Sequence, residues 1–135
     1  MAKKKPVETD LYPPLRDYLT AQGYTVRGEV KHCDLAAVKG EDLIVVEIKT
    51  ALNLALVAQG VRRQQMTDSV YLAIPRPPNY ARWARQTREI FRVIRRLELG
   101  LILVSLKPGK PPVEVSFHPL PFERRKVGKA RRAII

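Results

Sequence analysis

The spacing of apolar positions changes along the chain, and each change marks an element of secondary structure. Leu11, Leu15 and Leu19 recur at helical spacing and predict a first helix over residues 9–22. Three short apolar runs follow, and they predict strands at residues 24–30, 34–38 and 43–50. Residues 39–42, Lys-Gly-Glu-Asp, are typical of a turn, so we expect the second and third strands to form a hairpin.

Beyond this hairpin the pattern alternates between helix and strand. The predicted elements are a helix over residues 52–68, a strand at 70–74, a long helix over 80–98, and strands at 101–106 and 113–117. The run at 43–48 is apolar on both of its alternating faces, which is typical of a central strand covered by helices on both sides. The order therefore predicts an α/β fold with a mixed central β-sheet flanked by helices on both faces.

Length and charge limit the kind of protein. The 135 residues suffice for one domain, which we assign to residues 1–122, with a basic tail at 123–135. Lys and Arg number 25 against 13 Asp and Glu, and this net charge of +12 favours polyanionic partners. No apolar run reaches the ~18 residues of a membrane span, so we expect no membrane partner. The single Cys33 excludes an intramolecular disulfide, and a reducing, cytoplasmic location is the simplest expectation.

Charged residues interrupt the third predicted strand at its end. Residues two apart on a strand share a face, so Glu47 and Lys49 continue the face that Leu43 and Val45 begin as core. Charges at such positions are costly unless they have partners, a metal or an open cleft. Asp34 begins the neighbouring strand, and the hairpin should bring it close to Glu47 and Lys49. We therefore expect two carboxylates and one ammonium group to converge.

Two explanations of this convergence remain open. Two acids at one point raise each other's pKa unless a cation lies between them, and Mg²⁺ suits an all-oxygen site that keeps several waters. The backbone carbonyl of Ile48 could supply a further oxygen. The structural alternative is a Glu47–Lys49 ion pair at a strand end, with Asp34 as an ordinary turn residue. Glu-x-Lys alone favours that alternative, because so short a motif arises often, whereas the whole combination favours a metal site.

The stretch from Cys33 to Thr50, CDLAAVKGEDLIVVEIKT, resembles the active-site signature of the PD-(D/E)xK nuclease superfamily. That signature is an Asp, a hairpin, and (Asp/Glu)-x-Lys on the next strand. The predicted order of helix, three strands, helix and strand is also similar to the restriction-endonuclease-like core. The segment from Glu47 to Pro77 resembles a little-studied family of PD-(D/E)xK phosphodiesterases, and the resemblance covers roughly the first three-fifths of the chain.

The resemblance implies a metal-dependent nuclease or phosphodiesterase that hydrolyses nucleic acid, with DNA as the favoured substrate. Mg²⁺ is the implied cofactor, and Mn²⁺ is a second usable metal. The implied metal ligands are Asp34, Glu47 and the backbone carbonyl of Ile48. Family members commonly add a Glu from the first helix, for which Glu8 is the best match and Asp10 the weaker one.

Further roles follow from the same resemblance. Lys49 would orient or deprotonate the attacking water and stabilise charge on the phosphate. Gln59 matches a polar residue that family members often carry on the next helix, although a plain surface glutamine is an equal alternative. Arg62 or Arg63 would contact phosphate from that helix. Cys33 stands where the motif has Pro, and Arg63 stands where exonuclease-like members have Tyr, which argues against that subgroup.

The predicted helix over residues 80–98 has a basic side. The arginines on that side are Arg85, Arg88, Arg92 and Arg95. Only Glu89 and Glu98 compensate for charge on this helix, so phosphate contact is favoured over a merely solvated face. Trp83 and Phe91 fall on its apolar stripe and are expected in the core rather than against bases.

Three classes of function follow. The first is the nuclease, and a homodimer is a further expectation because nucleases of this size often need a second subunit. The second is a non-catalytic nucleic-acid-binding module that retains the fold, and the third is a basic RNA- or ribosome-associated factor without a metal site. The complete set of Asp34, Glu47 and Lys49 favours the first, because converging acids repel a polyanion unless a metal intervenes.

Overall fold

A computed structural model describes residues 6–30 and 33–120 of the chain, which form an α/β fold with one mixed sheet. In chain order the elements are α1 (Glu8–Ala21), β1 (Thr25–Val30), β2 (Cys33–Lys39), β3 (Asp42–Ile48), α2 (Leu54–Arg63), β4 (Val70–Pro75), α3 (Tyr80–Gln86), α4 (Arg88–Arg96), β5 (Gly100–Val104) and β6 (Val113–Phe117). The basic tail predicted for 123–135 lies outside the described residues.

The six strands of the described chain lie side by side in chain order. β2 is antiparallel to both β1 and β3, the strands β3, β4 and β5 run parallel to one another, and β6 is antiparallel to β5. β2 and β3 form the predicted hairpin, in which Leu35 lies opposite Val46 and Lys39 opposite Asp42. Gly40 has a φ of +60°, the left-handed conformation that a tight hairpin turn requires.

Helices cover both faces of the sheet. Leu11, Leu15 and Leu19 of α1 form one buried cluster with Val46 and Ile48 of β3. On the other face, Leu56 and Val57 of α2 and Ile94 of α4 form a second cluster with Val45 of β3. Alternate residues of β3 therefore enter different cores, which confirms the prediction of a central strand buried on both sides. Within 6–30 and 33–120, no helix is long and apolar enough to span a membrane.

The single long helix predicted for residues 80–98 is wrong, because the chain breaks at Thr87 into α3 and α4. Thr87 has φ −103° and ψ 10°, and its hydroxyl donates a hydrogen bond to the Trp83 carbonyl at 2.7 Å. Eight residues of straight helix would separate Trp83 from Phe91 by about 12 Å along the axis. The break instead brings their ring centroids to 5.3 Å, and both rings pack against the second core as expected.

The first helix begins earlier than its sequence indicates. Val7 is the N-cap residue, and its N–H donates to the Asp10 carboxylate at 2.9 Å. Asp10, the third residue of the helix, thus accepts a hydrogen bond from the backbone N–H of the N-cap residue. Glu8 is the first helical residue. Pro13 and Pro14 lie in the second turn of α1. This geometry places Glu8 at the end of α1 that approaches the ends of the central strands.

The carboxyl ends of β1, β3, β4 and β5 and the amino ends of β2 and β6 lie at one edge of the sheet. β3, β4 and β5 run parallel, so their carboxyl ends lie at the same edge, and antiparallel β2 begins there. We call this edge, marked by Asp34, Lys49 and Arg76, the carboxyl edge. Because open α/β sheets bind ligands at the carboxyl ends of their strands, a functional site is expected at this edge.

Candidate active site

Asp34 and Glu47 are neighbours at the carboxyl edge. The register that places Leu35 opposite Val46 continues by one residue to Asp34 and Glu47. The Asp34 Oδ2 atom accepts a hydrogen bond from the Ile48 N–H at 2.7 Å. Asp34 is half-buried, whereas Glu47 is only 2% exposed and is the one buried polar or charged residue of the described chain. The hairpin therefore brings these two carboxylates together.

The electrostatic setting of Glu47 reflects this proximity. Burial, above all, raises the pKa of Glu47 above its ordinary value. The carboxylate of Asp34 raises that pKa further, both by charge repulsion and as a hydrogen-bond partner, whereas the hydrogen bond from Arg63 lowers it. A cation bound beside these two carboxylates would reduce the repulsion between them and so favour their charged forms.

Arg63 supplies a cation from within the chain. Its Nε donates to the Glu47 Oε1 atom at 2.5 Å, and the two side chains are 13% and 3% exposed. Arg63 lies in the last turn of α2, far from Glu47 in sequence, and no pattern in the sequence indicates this partnership. Phosphate contact was predicted for Arg63 and Arg62; Arg62 is exposed, but the guanidinium of Arg63 is turned to Glu47.

Lys49 lies one residue beyond the end of β3. Its backbone N–H donates to the Ala73 carbonyl at 3.0 Å, which ties it to β4. Its Nζ lies 3.4 Å from the Glu8 Oε1 atom, and the two side chains are 35% and 45% exposed. The ion pairs of Lys49 and Glu47 are therefore with Glu8 and Arg63, not with each other as in the structural alternative.

Gln59 lies one helical turn before Arg63 on α2. Residues four apart on a helix share a face, so Gln59 belongs to the side of α2 from which Arg63 reaches Glu47. The Gln59 Oε1 atom is buried and has no hydrogen-bond partner within the described part of the chain. A buried acceptor of this kind is uncommon in folded proteins and indicates a position at which a donor or an ion is expected.

A cavity of about 450 Å³ opens beside Asp34 on the α1 side of the sheet. It is lined by Glu8, Thr9, Tyr12, Gly28, Glu29, Asp34 and Ile48. A Cβ atom at Gly28 would lie 3.1 Å from the Tyr12 ring, so the glycine allows the ring to rest on the β1 backbone. Sequence patterns did not reveal this cavity, because it depends on how α1 crosses β1.

The candidate ligands differ in how well they fit Mg²⁺. Within residues 6–30 and 33–120, no group of three or more His, Cys, Asp or Glu is placed to hold a metal ion. Asp34 and Glu47 provide two adjacent carboxylates, whereas the Glu8 carboxylate pairs with Lys49. Mg²⁺ is usually bound through one or two carboxylates, with waters and substrate phosphates completing its shell. The pair therefore fits Mg²⁺ in its donor chemistry, with two protein carboxylates rather than three.

The basic side of the broken helix lies elsewhere. Arg85, Arg88, Arg92 and Arg95 are all exposed. α3 begins after the carboxyl end of β4, and α4 ends before the start of β5, so the later arginines lie toward the opposite edge of the sheet. The guanidinium of Arg95 stacks 4.6 Å from the centroid of the Phe117 ring. The structure thus does not bring these arginines to Asp34, Glu47 and Lys49.

A scan against protein-family models and a search of curated proteins find no match to this chain.

Proposed function

We propose that the protein is a divalent-metal-dependent nuclease or phosphodiesterase of the PD-(D/E)xK type, with DNA as its favoured substrate. The observation that carries the proposal is the apposition of Asp34 and Glu47 at the carboxyl edge, with Lys49 one residue past the strand. The order and spacing of these residues match the PD-(D/E)xK signature, and an α/β fold with a mixed sheet is consistent with it.

Each residue has a role in this proposal. Asp34 and Glu47 would hold the metal, and the Ile48 carbonyl is the further oxygen donor that the motif implies, whereas Glu8 pairs with Lys49. When bound, Mg²⁺ or Mn²⁺ supplies polarisation of the scissile phosphate and a water of lowered pKa. Lys49 orients the attacking water and, as a point cation, stabilises negative charge developing on the phosphate.

The reaction is the hydrolysis of a phosphodiester. Water attacks the phosphorus, the bond from phosphorus to the leaving oxygen breaks, and that oxygen takes up a proton. Glu8 holds the Lys49 ammonium at 3.4 Å and so keeps it at the carboxyl edge. The exposed arginines of α2, α3 and α4 bind backbone phosphates along the substrate in a salt-dependent and sequence-independent manner.

Electrostatics supports a metal in this site. The chain carries a net charge of +12, which favours the binding of a polyanion. Asp34 and Glu47, by contrast, place negative charge together where the substrate would have to react. A divalent cation held by these carboxylates would offset the negative charge that Arg63 leaves uncompensated, so the charges favour a metal-dependent reaction.

The experiment is a cleavage assay on plasmid, linear, branched and single-stranded DNA, with Mg²⁺, Mn²⁺ or a chelator. Cutting should need the metal and should disappear in Lys49→Ala and Asp34→Asn. Asp17→Asn on α1 is the matched control, because it removes an exposed carboxylate that pairs with its neighbour Arg16. The absence of cutting in either metal, on every substrate, contradicts the proposal.

A second candidate is a nucleic-acid-binding module without catalysis. The observation in its favour is that Glu47 and Lys49 each have an ion-pair partner within the chain, Arg63 and Glu8. Tight, salt-dependent DNA binding that persists in chelator, without cutting in any metal, would support this candidate over the nuclease.

A further inference from the structure

The Arg63–Glu47 ion pair engages one of the two carboxylates that the proposed metal would use. Its 2.5 Å contact is made between side chains that are 13% and 3% exposed, so water screens it little. Removing one partner of a buried pair leaves an uncompensated charge, which is strongly unfavourable. The carboxylates of Asp34 and Glu47 thus already have a positive charge beside them.

We propose that Arg63 is the built-in counter-ion of the site, which bonds Glu47 in the metal-free protein and yields that carboxylate to a divalent cation. This inference rests on the proposed function and concerns how the site is regulated. Arg63 is a positioning residue in this scheme, since it acts through Glu47 and touches neither metal nor substrate.

Gln59 gives the displaced guanidinium a second acceptor. Its buried Oε1 atom has no hydrogen-bond partner within the described residues, and it lies one helical turn from Arg63 on the same face of α2. A guanidinium has five N–H donors on a long side chain, so it can move between two acceptors at this spacing. The unpartnered oxygen is therefore the place to which Arg63 moves when Glu47 binds the metal.

The affinity for the metal follows from this exchange. A divalent cation that binds Glu47 must displace a buried guanidinium, and the remaining positive charges of Arg63 and Lys49 repel it. Removing the charge of Arg63 should tighten metal binding by about tenfold or more, since the charges interact at close range and low solvent exposure. The same change should destabilise the metal-free protein, because Asp34 and Glu47 then face each other without a cation.

The test measures metal binding without nucleic acid. Mn²⁺ is titrated by calorimetry into the full chain as wild type, as Arg63→Gln and as Arg16→Gln. Arg16 is the matched control, because it is an exposed arginine on the opposite face of the sheet. We expect Arg63→Gln to bind Mn²⁺ about tenfold or more tightly than wild type, and Arg16→Gln to bind it as wild type does. An affinity of Arg63→Gln that equals or falls below that of wild type overturns the inference.

Gln59→Leu provides a second variant that keeps the Arg63–Glu47 pair intact. Loss of the second acceptor should weaken Mn²⁺ binding by about tenfold, because the displaced guanidinium then lacks one hydrogen bond, and a hydrogen bond to a charged group contributes about this factor to affinity. In the Arg63→Gln background the same substitution should have little effect, because no guanidinium needs the acceptor. An equal loss of affinity in both backgrounds would show that Gln59 acts without Arg63 and would overturn this part of the scheme.

The inference and the proposed function fail in different ways. If Mn²⁺ supports DNA cutting and Arg63→Gln leaves the Mn²⁺ affinity unchanged, the counter-ion role is wrong and the nuclease stands. If neither wild type nor Arg63→Gln binds Mn²⁺ or Mg²⁺, the metal site itself is wrong, and both proposals fall together.

Discussion

Asp34 on β2 accepts a hydrogen bond from the backbone N–H of Ile48 on β3, with 2.7 Å between Oδ2 and N. The bond joins the two strands of the hairpin just beyond their last paired residues, Leu35 and Val46. The same carboxylate stands beside Glu47. Asp34 therefore stabilises the local backbone as well as contributing charge to the site, and experiments on it must separate these two effects.

Substitution of Asp34 separates them when two variants are compared. Asp34→Ala removes the acceptor for the Ile48 N–H and should lower the free energy of unfolding by about 1–3 kcal/mol. Asp34→Asn keeps an amide oxygen in place and should cost less, while both variants should lose DNA cutting. Urea denaturation gives the free energies, and an Asp34→Ala variant as stable as wild type would show that the hydrogen bond contributes nothing.

Glu47 should make the free energy of unfolding decrease as the pH rises. Its pKa is raised, chiefly by burial, so the folded state binds the proton more tightly than the unfolded state. Its contribution to stability is therefore fully present below the ordinary pKa and is lost as the pH rises through the raised pKa. We expect the free energy of unfolding of wild type, minus that of Glu47→Gln, to fall as the pH increases over this range.

The pH dependence is measured by urea denaturation of both proteins at a series of pH values. Glu89→Gln, on the exposed side of α4, controls for the loss of one carboxylate. A difference between wild type and Glu47→Gln that rises with pH would contradict a raised pKa of Glu47.

Glu8→Gln should affect activity more than stability. The Glu8–Lys49 pair is about half exposed, and ion pairs of this kind contribute about 0–1 kcal/mol. Holding Lys49 at the carboxyl edge matters for cutting, where loss of an orienting partner costs roughly tenfold or more. Thermal unfolding and cleavage rates of Glu8→Gln should be compared with those of Asp17→Asn. Equal cleavage rates in the two variants would remove Glu8 from the proposed site.

Gly60→Ala should destabilise the fold although alanine is the better helix former. A Cβ atom at position 60 would lie 2.7 Å from Leu72 Cδ2 and 3.2 Å from both Cδ atoms of Leu99. Overpacking costs about 1–3 kcal/mol, which exceeds the ~1 kcal/mol gained in helix propensity. Chemical denaturation should show a net loss of about 1 kcal/mol. A stability gain in Gly60→Ala would mean that α2 shifts away from β4 without cost.

Ala58→Gly is the companion variant for Gly60→Ala on the same helix. Ala58 is exposed, so this change alters propensity without altering packing, and it should cost about 1 kcal/mol. The two substitutions are opposite in chemistry, and both should lower stability.

Patterns that depend on neighbouring residues were predictable from the sequence. The apolar run of β3 and the Lys-Gly-Glu-Asp turn were enough to place the hairpin, and the hairpin was enough to place Asp34 beside Glu47. Period-2 alternation also placed Val45 and Val46 in different cores, as the structure shows. These features depend on the local spacing of residues, so a single sequence is enough to predict them.

Features that depend on tertiary packing were not predictable in this way. The helix break at Thr87 accompanies the contact of Trp83 with Phe91. The helical spacing of apolar residues does not indicate that contact. Arg63 meets Glu47 because α2 packs on the face of the sheet to which Val45 and Glu47 belong, whereas its sequence position indicated only a basic helix surface. The identity of an ion-pair partner depends on how two elements pack against each other. The spacing of residues within one element does not indicate that packing.

The order of the strands has a consequence for how the molecule is built. Each strand pairs with the strand that precedes it in the chain, so the sheet can grow by one strand at a time from its N-terminal side. Asp34, Glu47 and Arg63 all belong to the segment that ends with α2. During synthesis from the N-terminus, the charged groups of the site are therefore all made before the arginine-rich helices α3 and α4.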